Sequence, residues 1–276
     1  MSRGLRAHPP VLKRFGQHFL IDSDVLEAIA DALNPPSGDV IVEIGSGRGA
    51  LTDVLVRQAH GSQLVLAIEI DRALAAILIK RFQAVPNVRV IEGDILEMDV
   101  ASLADAPFVV AGNVPYYITT PILFRVLRPP FPRRVVFLLQ REVADRIVAS
   151  PGSKTYGALS VTIQAISDAV IVCNVPAAAF KPPPKVESAV VRITPRATGL
   201  IEPHEVEDFR VFVQGSFGMR RKQMINVLRA VGRQAPADAA RVLESLGIDP
   251  KARPETLTPE QFVALMRRTA ADDATK

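Results

Sequence analysis

Cys173 is the only cysteine in the 276-residue chain. That excludes an internal disulfide and any zinc or iron–sulfur site built on cysteines. With no other metal-binding pattern, no metal is expected, and the expected setting is a reducing compartment, the cytoplasm. No run approaches the ~18 consecutive apolar residues that span a bilayer, so no membrane association is expected. Pro9, Pro10, Lys13 and Arg14 stand where a secretory peptide carries its apolar stretch. Internal repeats and low-complexity segments are absent. Acidic residues are missing from the first fourteen positions, which hold Arg3, Arg6, Lys13 and Arg14. The remaining 29 basic and 29 acidic residues balance, so the formal net charge of +4 sits in a tail. Such a tail suits a polyanion-touching arm and equally a solvated end, and charge leaves both readings open.

What is present suffices for an α/β core and a smaller second unit: 48% of the residues are hydrophobic. Short runs rich in Val, Ile or Phe occur at 40–44, 64–68, 88–91, 108–111 and 135–139, with helical spacing between them, as in Leu74, Ala75, Leu78, Ile79 and Phe82. This alternation predicts a mostly parallel sheet covered on both faces. Residues 169–174 and 188–193 add two strands, giving seven, and 156–166 reads as a helix. Asp24 and Glu27 ahead of Leu26, Ile29, Ala30 and Leu33 predict a capped entry helix, ended by Asn34-Pro35-Pro36. Beyond Thr194–Gly199 only helical periodicity continues, at 206–213, 224–231, 239–246 and 260–268. The expected division is a catalytic domain over 1–198, with the basic arm, and a helical domain over 199–276.

The first strand runs into Gly45-Ser46-Gly47-Arg48-Gly49-Ala50, followed by a helical pattern. Glycines at a strand-to-helix turn let the backbone approach a ligand and expose the N–H groups that open the helix. Gly45 and Gly47 are therefore candidate cofactor contacts. Gly45-x-Gly47-x-x-Ala50 also satisfies the dinucleotide fingerprint, so the turn alone allows a methyltransferase or a dehydrogenase. Glu69 ends the second strand and Asp94 follows the third, where ligands of open parallel sheets gather. Glu69 can accept hydrogen bonds from both ribose hydroxyls, and Asp94 from an adenine amine or simply within a turn. Asp71 reads as a helix cap. A cationic sulfonium nucleoside tolerates these carboxylates better than a pyrophosphate does.

After the fourth strand comes Gly112-Asn113-Val114-Pro115-Tyr116-Tyr117-Ile118-Thr119. The amine of adenine is a weak nucleophile because its lone pair is delocalised into the ring. The Asn113 amide oxygen and the Val114 carbonyl can hold its two hydrogens, favouring a pyramidal nitrogen with its lone pair aimed outward. Pro115 stiffens the backbone that presents this carbonyl, and Tyr116 offers a face for the base. Stacking of this kind contributes about 1–3 kcal/mol. The stiff segment Phe180-Lys181-Pro182-Pro183-Pro184-Lys185-Val186-Glu187-Ser188 suggests a second face in Phe180, with Lys181 and Lys185 near phosphates. A plain proline-rich connector is the alternative.

These motifs resemble the small-subunit ribosomal RNA adenine dimethyltransferases, the kasugamycin-sensitivity enzymes, over nearly the whole chain. The matching pieces are 14–20, 42–52, 69–71, 93–94, 112–118, 180–188, Arg220-Arg221-Lys222 and 253–257. The resemblance implies a Rossmann-like S-adenosylmethionine-dependent methyltransferase sheet with a small all-helical C-terminal domain. It places cofactor contacts on His18, Leu20, Gly45, Glu69, Asp94 and Asn113. His18 stands where asparagine is frequent and Ser46 where proline is frequent; His18 can donate a hydrogen bond to the methionine end. Without the resemblance, Gln17-His18 reads as a polar pair between two core phenylalanines, Phe15 and Phe19. The implied activity is dimethylation of two adjacent adenosines in a hairpin near the 3′ end of small-subunit (16S) ribosomal RNA, within the immature subunit. Nothing in the sequence demands more than a monomer, and Arg14, Arg220, Arg221 and Lys222 are expected on phosphates. Catalysis is expected to come from positioning, since well-oriented reactants reach effective molarities of about 10⁵–10⁸ M. Competing readings are an erythromycin-resistance type methyltransferase of large-subunit RNA and a DNA adenine methyltransferase, which would need a target-reading domain. Two others are a non-catalytic ribosome-assembly or mitochondrial transcription factor, and an NAD-dependent dehydrogenase with no use for the Asn113 turn.

Overall fold

The computed structural model describes residues 18–61, 63–232 and 234–273. The basic tail with Arg14, and Phe15, lie outside the described residues. The chain opens with β1 (Phe19–Leu20), α1 (Ser23–Leu33), β2 (Val40–Ile44), α2 (Ala50–Gln58), β3 (Val65–Glu69), α3 (Arg72–Phe82), β4 (Val88–Glu92) and α4 (Val100–Ala104). It continues through β5 (Phe108–Asn113), α5 (Thr119–Val126), β6 (Arg134–Gln140), α6 (Arg141–Ile147), α7 (Ala158–Ile166), β7 (Ser167–Val175), β8 (Phe180–Lys181) and β9 (Ser188–Pro195). Four helices follow: α8 (Val206–Gly218), α9 (Met224–Val231), α10 (Pro236–Ser245) and α11 (Pro259–Asp273).

Seven strands form one sheet in the order β4-β3-β2-β5-β6-β9-β7. The β4–β3, β3–β2, β2–β5 and β5–β6 pairs are parallel. The Val/Ile runs explain the centre: every residue of β2 and β3 is buried, as parallel strands covered on both faces require. The edge strands β4 and β7 carry mixed, alternating burial instead. From β2 the chain builds outward to β3 and β4, then returns to β5 on the other side of β2. Ligands gather at such a switch point, beyond the carboxyl ends of the strands.

The entry helix α1 is capped by Asp22, not Asp24: its carboxylate accepts from the Asp24 and Val25 N–H groups. Glu27 instead pairs across to Arg57 and Gln58 on α2. Asn34 ends α1 in a left-handed conformation, and Ile29 and Leu33 are fully buried beneath it. Asp71 caps α3 through the Ala73 and Leu74 N–H groups, as read from the sequence.

The two-residue strands β1 and β8 pair antiparallel, Phe19 with Lys181 and Leu20 with Phe180. Two compact units result. One holds the described residues up to Arg141 together with Ile171–Arg192; the other holds Glu142–Val170 and the described chain from Ile193 onward. In the second unit Tyr156 is buried, its hydroxyl donates to the Leu257 carbonyl (2.9 Å), and the Phe217 and Phe262 rings stack nearby. No helix among the described residues is long and apolar enough to cross a membrane.

Candidate functional site

The glycine turn after β2 is fastened to the end of β3. Gly45 N and Ser46 N both donate to the Ile68 carbonyl, at 2.9 and 3.2 Å. Gly47 N donates to Glu69 Oε2 at 2.6 Å, while Glu69 Oε1 accepts from Asp71 N at 2.8 Å. Glu69 therefore organises the turn as well as facing the hollow, and each carboxylate oxygen keeps lone-pair capacity for a ligand. Burial raises its carboxyl above the usual range, opposed by the Asp71 and Gly47 donations. Gly47 sits at φ +56°, and a Cβ there would come 3.3 Å from the Phe19 ring. A side chain would fill the cradle.

At the end of β5, Gly112 lets two strands approach closely; a Cβ there would lie 2.4 Å from the Ile44 carbonyl oxygen. That seats Asn113 beside the glycine turn. Its Nδ2 donates to the His18 carbonyl at 2.9 Å, which fixes the amide and leaves Oδ1 for a ligand. Val114 is buried, and its carbonyl accepts no hydrogen bond from the described residues. Pro115 O is occupied, accepting from Ile118 N and Thr119 Oγ1. The Tyr116 hydroxyl lies 2.6 Å from Ser188 Oγ; burial pushes its pKa up, partly offset by that bond.

A hollow of about 760 Å³, open mouth included, is lined by His18, Gly45, Gly47, Glu69, Asp94, Asn113, Val114, Pro115 and Tyr116. The structure thus brings together most residues singled out in the sequence. Asp94 lines the hollow while its Oδ1 accepts from Leu96 N at 2.9 Å, so it holds a turn and faces the ligand space at once. A second hollow, lined by Leu20, Glu43, Ser46 and Leu51 among others, shares the wall of Phe19, Gly45, Gly47 and Asn113. Leu20 belongs to this second side.

Other expectations are corrected. Phe180 is buried in the apolar cluster with Leu20 and does not line the hollow with Tyr116. The ring facing Tyr116 is that of His18, with centroids 6.0 Å apart and planes 20° from parallel. His18 Nδ1 donates to the Pro182 carbonyl (2.9 Å), so in the neutral ring Nε2 is an acceptor. The expected donation to a methionine end then requires the doubly protonated ring. Phe19 is a wall of both hollows, not core. Lys181, Lys185, Arg221 and Lys222 are exposed. Arg220 is exposed too, but its Nε lies 3.7 Å from Glu255 Oε2 and its Nη2 donates to the Lys154 carbonyl.

Sequence reasoning missed Glu43 and Ser188. Glu43 is buried on β2 and accepts from Thr52 Oγ1 at 2.5 Å. Burial pushes its carboxyl up to about 7, against the hydrogen bonds of Thr52 and Ser46. A lone carboxylate inside a Val/Ile strand was the available signal. Ser188 gave none, because its partner Tyr116 is 72 positions away.

Residues 11–271 match the family model described as ribosomal RNA adenine dimethylase. A relative from Myxococcus xanthus, named ribosomal RNA small subunit methyltransferase A, is 45% identical over 92% of this chain and 89% of its own. The crystal structure of a dimethyladenosine transferase from Plasmodium falciparum shares the fold. Its TM-score is 0.80 at 24% identity, over 93% of this chain and 98% of that one. The 23S rRNA methyltransferase ErmE superposes with TM-score 0.71 at 27% identity, over 91% of this chain and 99% of its own.

Proposed function

This chain belongs to the ribosomal RNA adenine dimethylase family, and from that premise we propose that it moves methyl groups from S-adenosylmethionine to N6 of two adjacent adenosines. The target is a hairpin near the 3′ end of small-subunit ribosomal RNA, and each adenosine ends as dimethyladenosine. The observation that carries this reading is the acceptor pair at the end of β5, a fixed Asn113 amide beside a Val114 carbonyl that accepts no hydrogen bond from the described residues. Identity of 45% over 92% of this chain to a relative named for the small subunit favours the small-subunit target.

The residues fit a cationic nucleoside. Gly45 and Gly47 leave room for it, Glu69 and Asp94 supply acceptors, and His18 and Leu20 each line one of the two adjoining hollows. When bound, S-adenosylmethionine supplies an electrophilic methyl carbon on a sulfonium that is already a good leaving group. Asn113 Oδ1 and Val114 O accept the two hydrogens of the adenine amine and turn its lone pair out of ring conjugation. Pro115 holds that carbonyl in place, and Tyr116 stacks on the base. No strong base is required, because the proton leaves after transfer, when the amine is cationic. A loop adenosine is cheap to extrude, since single-stranded bases lose little pairing energy.

Lys181, Lys185, Arg220, Arg221 and Lys222 grip phosphates, joined by Arg14 of the tail, and residues 199–276 serve as the ribosome-binding helical domain. The enzyme acts as a monomer on the immature small subunit in the cytoplasm. Incubation with labelled S-adenosylmethionine and unmethylated small ribosomal subunits, followed by nucleoside analysis, is expected to give dimethyladenosine at two neighbouring positions. No label on the small subunit, or label transferred only when large subunits are supplied in a parallel reaction, overturns the reading.

A further inference from the structure

Three tyrosines occur in the chain, and two of them are accounted for. Tyr156 is buried with its hydroxyl on Leu257, and Tyr116 lines the hollow with its hydroxyl on Ser188. Tyr117 is 60% exposed, and neither its ring nor its hydroxyl has a partner among the described residues. An aromatic side chain so placed forgoes the burial that normally stabilises it. Its position is specific. It is the middle residue of the 3₁₀ turn Tyr116–Ile118, in which successive side chains point about 120° apart. Tyr116 and Ile118 both line the hollow, so Tyr117 stands between them on the outer lip, facing solvent.

We propose that Tyr117 is a positioning residue for the RNA, its ring stacking on the base next to the adenine that occupies the hollow. The proposal rests on the adenine-methylating reading above. Extruding one base deprives its neighbour of a stacking partner. A ring at the lip, one residue along from Tyr116, fills the exposed face of that neighbour. Stacking of this kind needs a base but is indifferent to which one. When the substrate holds two adjacent adenosines, the same ring therefore serves whichever of them waits outside.

The test uses the full-length protein and unmethylated small subunits reconstituted on RNA that is intact or carries an abasic site at one of the two adenosines. On abasic subunits the wild-type KM is expected to rise about 5- to 150-fold, the equivalent of about 1–3 kcal/mol at about 1.4 kcal/mol per decade. Tyr117→Ala should raise KM on intact subunits by a similar factor, leave kcat nearly unchanged, and lose its sensitivity to the abasic site. Tyr117→Phe should keep the wild-type KM, because the ring suffices. S-adenosylmethionine affinity, read by calorimetry, should be the same for all three proteins. Losses from Tyr117→Ala and the abasic site that simply multiply overturn the assignment, as does Tyr117→Phe behaving like Tyr117→Ala. Failure of the wild type on intact subunits overturns the adenine reading itself, a different result.

Discussion

Asn113 is oriented before any substrate arrives, because its Nδ2 is already given to the His18 carbonyl. Asn113→Ala removes the acceptor and is expected to lower kcat about 10²–10³-fold, the usual loss when one preorganised polar group is deleted. RNA affinity should stay nearly intact; equal loss of both, measured by methyl transfer and filter binding, would make Asn113 structural. Glu43 gives a pH signature. Its carboxyl, ordinarily at 4.5, is pushed by burial to about 7. The folded state therefore holds that proton more tightly than the unfolded chain. The resulting stability is fully present below about 4.5 and is lost as pH rises through about 7. Urea unfolding is expected to show a loss on the order of 3 kcal/mol across that window, and Glu43→Gln to flatten it. Asn113, Glu69 and Asp94 were legible because each stands at or just past the end of a Val/Ile run. Their orientation was not: the partner of Asn113 lies 95 positions away, and no local pattern encodes it.

At the scale of elements, strands and helices with strong periodicity were legible, down to α9, where expectation and structure share their bounds. The cap of α1 was not, since two aspartates two residues apart both suit the pattern. Only Asp22 has the extended backbone, φ −78° and ψ 118°, that aims its carboxylate at the first N–H groups. Asp22→Ala should therefore cost about 0.5–2 kcal/mol in urea denaturation, and Asp24→Ala clearly less. The strands β1 and β8 are two residues each, too short for any period to register. That is why Phe180 read as a stacking face and Phe19 as core, when pairing between the two strands decides where both rings go.

For the molecule as a whole, the alternation of strand and helix patterns placed the chain among α/β proteins and the charge count gave it a basic tail, but the units interleave along the sequence. Helices α6 and α7 precede β7 yet fall with α8 to α11, because packing is set in space and periodicity is read along the chain. RNA binding by this molecule should be strongly salt-dependent, each neutralised phosphate adding about 0.7–0.9 to the slope of log K against log salt. Replacing Arg220, Arg221 and Lys222 together by glutamine is expected to lower that slope by about 2–3, one phosphate contact for each. An unchanged slope in titrations at several salt concentrations would remove these residues from the interface.

The ribbon of β1 and β8 also bears on how the protein is made. His18 and Phe19 belong to the wall of the cofactor hollow, yet His18 is tied to Pro182, 164 positions later. On a translating ribosome that interval takes roughly ten to thirty seconds at about 5–20 residues per second. A nascent chain that already displays the glycine turn and Asn113 still lacks one side of its pocket. Affinity for the methyl donor should thus arise only after the 180s have left the exit tunnel, late in synthesis.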